Sequence, residues 1–154
     1  MFQRIQTLFI IISLAMWIVL GYYPIAAVFD SSVIYHLKIN GIYIQKAETM
    51  EMYSKIYPLL IIYSVAAVIQ LISLFLFKRR TLQMRFCIYT ALLQAGFMIL
   101  VLYYVFQAVP SETPANVSWN YPAILPVCSV ILTLIAYRYI LRDYRLIKSV
   151  DRIR

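Results

Sequence analysis

The sequence predicts an all-α membrane protein: an antiparallel bundle of four transmembrane helices, capped outside the membrane by a small β-hairpin. Three observations lead there. Of 154 residues, 64% are hydrophobic and only 13% charged, about half the roughly 25% charge of an ordinary soluble domain. The charges leave four long uncharged runs, between Arg4 and Asp30, Lys55 and Lys78, Arg85 and Glu112, and Glu112 and Arg138. Two β-rich runs flank Asn40-Gly41 in the first outer loop, and that dipeptide is the strongest short hairpin signal.

Each run reaches the ~20 residues that a helix rising ~1.5 Å per residue needs to cross ~30 Å of hydrocarbon. The abundant Ile, Val and Tyr favour strands in water, but an open sheet in lipid leaves backbone groups unpaired. The helices are therefore placed at about 5–29, 54–78, 84–109 and 122–149 of a single domain spanning 1–154. The first segment has an alternative reading as a signal peptide, with Arg4 as the basic region and Ala26-Ala27 before a cut. A helix is preferred, because the apolar stretch exceeds the ~7–15 residues of such a signal and Tyr22, Tyr23 and Pro24 are bulky before the cut. Pro122 suits a first helical turn, where its missing N–H costs nothing. Beyond Arg138, residues Tyr137, Ile140, Leu141, Tyr144 and Ile147 keep one helical stripe, which predicts a cytoplasmic extension to about Ser149.

Lysine and arginine set the orientation. With Arg4, the Lys78–Arg85 linker and everything from Arg138 onward on one side, that side holds eleven basic residues against Asp143 and Asp151. The other side holds Lys38, Lys46 and Lys55 against Asp30, Glu48, Glu51 and Glu112. Positive-inside bias puts both termini in the cytoplasm. The net charge of +8 then needs no nucleic-acid partner. Lys78, Arg79, Arg80, Arg85, Arg142 and Arg145 are the expected contacts to anionic lipid head groups. Tyr22, Tyr23, Tyr57, Tyr103, Tyr104 and Trp119 outside, with Phe77, Phe86, Tyr137 and Tyr139 inside, mark the interfaces.

The outer loop is expected to fold over residues 33–47. A two-residue turn at Asn40-Gly41 pairs Ile39 with Ile42, Leu37 with Ile44 and Tyr35 with Lys46. One face is then apolar (Tyr35, Leu37, Ile39, Ile42, Ile44), and the other carries His36, Lys38, Tyr43 and Gln45. A lone hairpin is marginal in water, so the apolar face must lie on the helix ends. Val117, Trp119 and Tyr121 alternate and offer a third strand or an interfacial cover.

Several chemistries are excluded. No Asp, Glu, Lys, Arg or His lies within the four spans, which argues against proton-coupled transport and drug export. No carboxylate or histidine cluster suits a lipid-modifying enzyme. Cys87 and Cys128 form no C-x-x-C pair. They stand at different depths, beyond the ~7 Å Cα separation a disulfide allows, and are read as small core residues. His36 is the sole histidine, so neither a bis-histidine haem nor a zinc site forms within the chain. It is read as an exposed residue of the polar hairpin face. No catalytic, cofactor or metal residue is assigned.

One constellation remains. Ser13, Gln70, Gln94 and Thr133 all fall ~8–12 Å above the cytoplasmic boundary by helical rise. Ala66, Gln70 and Ser73 share a face, and Ala91 and Ala95 form a small-xxx-small pair beside Gln94. These residues suit an interhelical polar clamp worth ~0.6 kcal/mol per bond. The alternative is a site for a lipid or quinone head group.

The ends MFQRIQTLFIIIS and LRDYRLIKSVDRIR resemble an uncharacterised inner-membrane family of the Bacteroidota, a domain of unknown function with four hydrophobic segments and cytoplasmic termini. That resemblance implies a bacterial cytoplasmic membrane, where the Asn116-Val117-Ser118 glycosylation tripeptide has no role. It also directs attention to Gln3, Arg4 and Gln6 at one terminus and Asp151, Arg152 and Arg154 at the other, as a head-group anchor or a docking surface. The expected function is non-enzymatic, an accessory or scaffold subunit of an inner-membrane assembly, with membrane lipids and other membrane proteins as partners. Alternatives are a protein handling lipids or hydrophobic ligands, and an enzyme subunit whose catalytic residues sit on another chain.

Overall fold

The computed structural model describes residues 2–29, 33–46, 49–76, 79–108 and 116–151. Four helices carry a five-stranded antiparallel sheet at one end. In chain order the elements are α1 (Phe2–Leu20), β1 (Ala26–Phe29), β2 (Ile34–Lys38), β3 (Gly41–Lys46), β4 (Thr49–Lys55), α2 (Tyr57–Phe75), α3 (Arg80–Ala108), β5 (Asn116–Trp119), a 3₁₀ turn (Tyr121–Ile124) and α4 (Leu125–Asp151). Among the described residues, Tyr57–Phe75, Arg80–Gln107 and Tyr121–Leu146 are long and apolar enough to cross a membrane. Ile5–Leu20 is a shorter apolar helix.

The first helix stops nine residues before the expected Phe29. Lack of charge predicts a long helix, but Gly21 and Pro24 end it at Leu20. The final turn tightens through Gly21 N–H to Ile18 O (3.0 Å) and Tyr22 N–H to Val19 O (3.1 Å), a common way to satisfy terminal carbonyls. Proline then disfavours helical geometry at Tyr23. Residues Ala26–Phe29 become a strand, paired on one side with β2 and on the other with β5. Their backbone groups are thus bonded without a helix.

The sheet is larger than a hairpin, in the order β4-β3-β2-β1-β5. The Val117/Trp119 segment supplies β5, while β1 and β4 go beyond the sequence reading. The hairpin register also differs. Lys38 faces Gly41, Leu37 faces Ile42 and Tyr35 faces Ile44, so the turn is Ile39-Asn40 rather than Asn40-Gly41. Gly41 instead opens β3 at φ +156°. A Cβ there would collide with the Ser54 carbonyl oxygen and lie 3.2 Å from its carbon. The glycine is used for the close approach of β4 rather than for the turn. Face alternation is unaffected by the shift. Leu37 and Ile39 are buried, Tyr35 and Ile42 pack on the core, His36 Nε2 lies 2.9 Å from Gln45 Oε1, and Lys38 sits over the Tyr43 ring.

Other boundaries move for local reasons. Ser54 and Lys55 belong to β4, so the second helix starts at Tyr57, with Pro58 in its first turn. It ends at Phe75. The third begins at Arg80, absorbing most of the expected linker KRRTLQMR. The fourth is entered through the 3₁₀ turn holding Pro122, and the regular helix runs from Leu125 to Asp151.

Two apolar clusters fill the bundle. At the sheet end, Trp17, Leu20, Ile25, Val28, Leu37 and Phe97 are buried together. Trp17 stacks on Tyr63 with centroids 5.4 Å apart and meets Phe97 edge-on at 5.1 Å. The Trp17 Nε1–H donates to Tyr63 O (3.1 Å), and Tyr63 OH donates to Trp17 O (3.0 Å), which locks α1 to α2. Gly21 leaves room for this lock, because a Cβ would come within 2.7 Å of the Tyr63 hydroxyl oxygen. At the opposite end, Ile10, Met84, Cys87, Ala136 and Ile140 form the second cluster. Tyr137, Leu141 and Tyr144 of the predicted stripe pack against it. The side chain of Ile147 lies outside the described residues.

Candidate functional site

Between the two apolar clusters lies a layer of polar side chains, one or two from each helix. The helix periodicity puts them there. Buried positions on α1 include Ile10, Ser13 and Trp17, on α2 Ala66, Gln70 and Ser73, on α3 Thr90, Gln94 and Phe97, and on α4 Ser129, Thr133 and Ala136. Spacings of three and four keep each set on one helical face. Ser13, Gln70, Gln94 and Thr133 are each at most 2% exposed.

The four residues meet in one hydrogen-bonded network. Gln70 Nε2 donates to Ser13 Oγ (2.7 Å) and, at 3.5 Å, to Ile10 O. Gln94 Nε2 donates to Gln70 Oε1 (3.2 Å) and to Ser129 Oγ (2.8 Å). Ser13 Oγ lies 2.7 Å from Ser129 Oγ, 3.0 Å from Thr133 Oγ1 and 3.0 Å from Ser129 O. Thr133 donates to the Ser129 carbonyl one turn back (2.8 Å).

Acceptor-only groups orient the two amides. The Ile10 carbonyl only accepts, so it orients the Gln70 amide, and Gln70 Oε1 in turn orients Gln94. Ser13 Oγ reaches the Ser129 carbonyl at 3.0 Å and Ser129 Oγ reaches the Ser13 carbonyl at 3.3 Å, while the two hydroxyls lie 2.7 Å apart and either can donate to the other. Every amide hydrogen is then used. One acceptor is not, since Gln94 Oε1 is buried without a partner.

Ser129 sits at the centre of the layer and was missed by sequence reasoning. Its signal was available: it precedes Thr133 by one helical turn and shares its face. The small-xxx-small pair behaves differently from its reading. Ala91 is buried at the margin of the inward face, but Ala95, one residue past buried Gln94, is exposed.

The opposite end of the bundle from the sheet carries the basic residues. Arg79 precedes α3, Arg80 is half-buried in its first turn, and Arg85 is exposed. Arg138, Arg142 and Arg145 lie on one face of α4 and, with Leu141 and Leu146, line an open depression of about 370 Å³. Lys78 lies outside the described residues, as do the side chains of Gln3, Arg4, Asp151, Arg152 and Arg154. Gln6 is buried and donates from Nε2 to Asp143 Oδ2, tying α1 to α4. Gln83 Nε2 donates to Ser73 O (3.2 Å) across α2 and α3. Cys87 is buried, Cys128 half-buried, and both are free thiols. Among the described residues, no group of three or more His, Cys, Asp or Glu side chains could hold a metal ion.

A family described as a domain of unknown function (DUF4293) matches residues 2–153. The chain belongs to this family. Its match takes in the middle helices as well as the two ends that carry the sequence resemblance. Among curated proteins none matches the chain. Membership in DUF4293 assigns no activity.

Proposed function

We propose that the chain is a non-enzymatic accessory or scaffold subunit of a bacterial inner-membrane assembly, crossing the bilayer four times with both termini in the cytoplasm. The basic end supports the orientation. Arg79, Arg80, Arg85, Arg142 and Arg145, together with Lys78, would face anionic head groups on the cytoplasmic side. On this reading the sheet lies on the other side, over the outer ends of the helices. The polar layer acts as a clamp that fixes helix register. Its side chains are neutral and bond to one another across all four helices.

The observation that carries the scaffold reading is the sheet edge. Strand β4 is seven residues long and terminal in the strand order. Residues Met50–Lys55 are exposed along it. An uncovered edge of this length offers backbone groups to a strand from another chain. Purification in mild detergent from native membranes tests it. A membrane partner should accompany the wild-type chain in fixed ratio and be lost when Met50→Lys and Met52→Lys charge the edge. A wild-type chain that purifies alone, or a partner unaffected by the edge charges, would overturn the reading.

A further inference from the structure

A cleft of about 590 Å³ opens where the sheet meets the first turn of α2 and the last turns of α3. Its walls are aromatic: Tyr35 and Tyr53 from the sheet, Tyr57 from α2 and Tyr104 from α3. Tyr35 and Tyr53 meet edge-on with centroids 6.0 Å apart. Ile42 and Ile56 supply apolar lining, and Ile56 is buried. Three polar residues join them, Ser54, Lys55 and Gln107. The size lies within the ~300–1,000 Å³ of small-molecule sites, and the lining mixes polar and apolar surface in nearly equal parts.

The charge in the cleft is one-sided. Lys55 is exposed and, among the described residues, lines it without a carboxylate beside it. Glu51 stands two residues before Tyr53 on the same strand and does not line the cleft. Below the opening, α2 presents exposed Leu60 and Ile61. An apolar surface therefore continues from a pocket whose charge, among the described residues, is positive. Tyrosine-rich walls are also the composition of a membrane–water interface, where an amphipathic ring meets both phases.

We propose that this cleft binds an anionic amphiphile. A phosphodiester or carboxylate group would rest on Lys55 and Gln107, with its chain passing between the tyrosines onto the α2 surface. The proposal rests on the membrane reading above but not on the scaffold role or on the polar layer.

Native mass spectrometry of the full chain in mild detergent tests it, with phosphatidylglycerol, oleate, phosphatidylcholine and glycerol 3-phosphate as probes. Phosphatidylglycerol should be retained, and K55Q should weaken it about tenfold, the loss of one charge-assisted contact. K55R should restore retention. An R142Q/R145Q variant, altered only at the opposite end, should keep the K55-dependent molecule. Preference for phosphatidylglycerol over oleate would identify a phosphodiester lipid, and the reverse a fatty-acid carboxylate; either agrees with the proposal. Equal retention by wild type and K55Q would overturn it, as would phosphatidylcholine binding as well as the two anions. Equal binding of glycerol 3-phosphate would also overturn it, because a headgroup site needs no chain. Alkaline carbonate extraction separates the two claims. Release from membranes would remove the membrane reading, whereas a retained chain without K55-dependent binding would remove only the cleft.

Discussion

Replacing Gln70 with leucine removes the hub of the polar layer. The side chain donates at 2.7 Å to Ser13 and accepts at 3.2 Å from Gln94, with a long third contact to Ile10 O. At about 0.6 kcal/mol per interhelical bond, the two shorter bonds account for about 1.2 kcal/mol. The substitution also leaves an amide hydrogen of Gln94 unpaired beside an oxygen that already has no partner. Stranding a buried donor adds about 1 kcal/mol, so Gln70→Leu should cost about 2 kcal/mol. Gln94→Leu behaves differently. It loses two bonds, but it removes one orphaned carbonyl while creating another at Gln70, and should cost about 1.2 kcal/mol. The double variant strands nothing. It loses three short bonds yet sheds the Gln94 orphan, and should cost about 1 kcal/mol, well below the sum of the singles. Reversible unfolding in mixed micelles, or steric trapping in bicelles, measures all three. Additive losses, or a neutral Gln70→Leu, would refute the bonding scheme.

Three further outcomes follow from the same structure. Gly41→Val should destabilise the sheet, because a side chain at φ +156° meets the Ser54 backbone; proteolysis within the sheet at least several-fold faster than wild type checks it. Gln6→Leu should cost about 1.5–3 kcal/mol by stripping Asp143 of a charge-assisted bond, and Asp143→Asn, which keeps an acceptor, should cost less; thermal melts in detergent compare them. Cys87 and Cys128 should stay free thiols in the monomer after treatment with a membrane-permeant oxidant, as non-reducing mass analysis would register.

The sequence made the helices legible through charge, because their outward-facing and core-facing positions are both largely apolar and an ionisable side chain marks the interruption. The same criterion misplaced the end of α1. Ala26–Phe29 carries no charge, but Gly21 and Pro24 had already stopped the helix. The polar layer was legible because glutamine, serine and threonine stand out in apolar segments and helical rise converts position into depth. Ser129 was passed over although its turn-mate Thr133 was placed, because a lone serine in the first turns of α4 carries little signal of its own. The hairpin faces were legible from alternation, but the register depended on β4. That strand, TMEMYSK, lies beyond the expected hairpin, and its last two residues fall in the expected second helix. Long-range pairing decided what local turn chemistry alone assigned differently.

The central claim is that α1 crosses the membrane with the other three helices and brings both termini to the basic side. Topology reporters fused after Lys46, Arg79, Thr113 and Arg154 test it directly. The account predicts cytoplasmic signals at Arg79 and Arg154 and extracytoplasmic signals at Lys46 and Thr113, with an N-terminal tag cytoplasmic as well. An N-terminal tag on the same side as Lys46, with the other reporters unchanged, would mean three crossings and would contradict it.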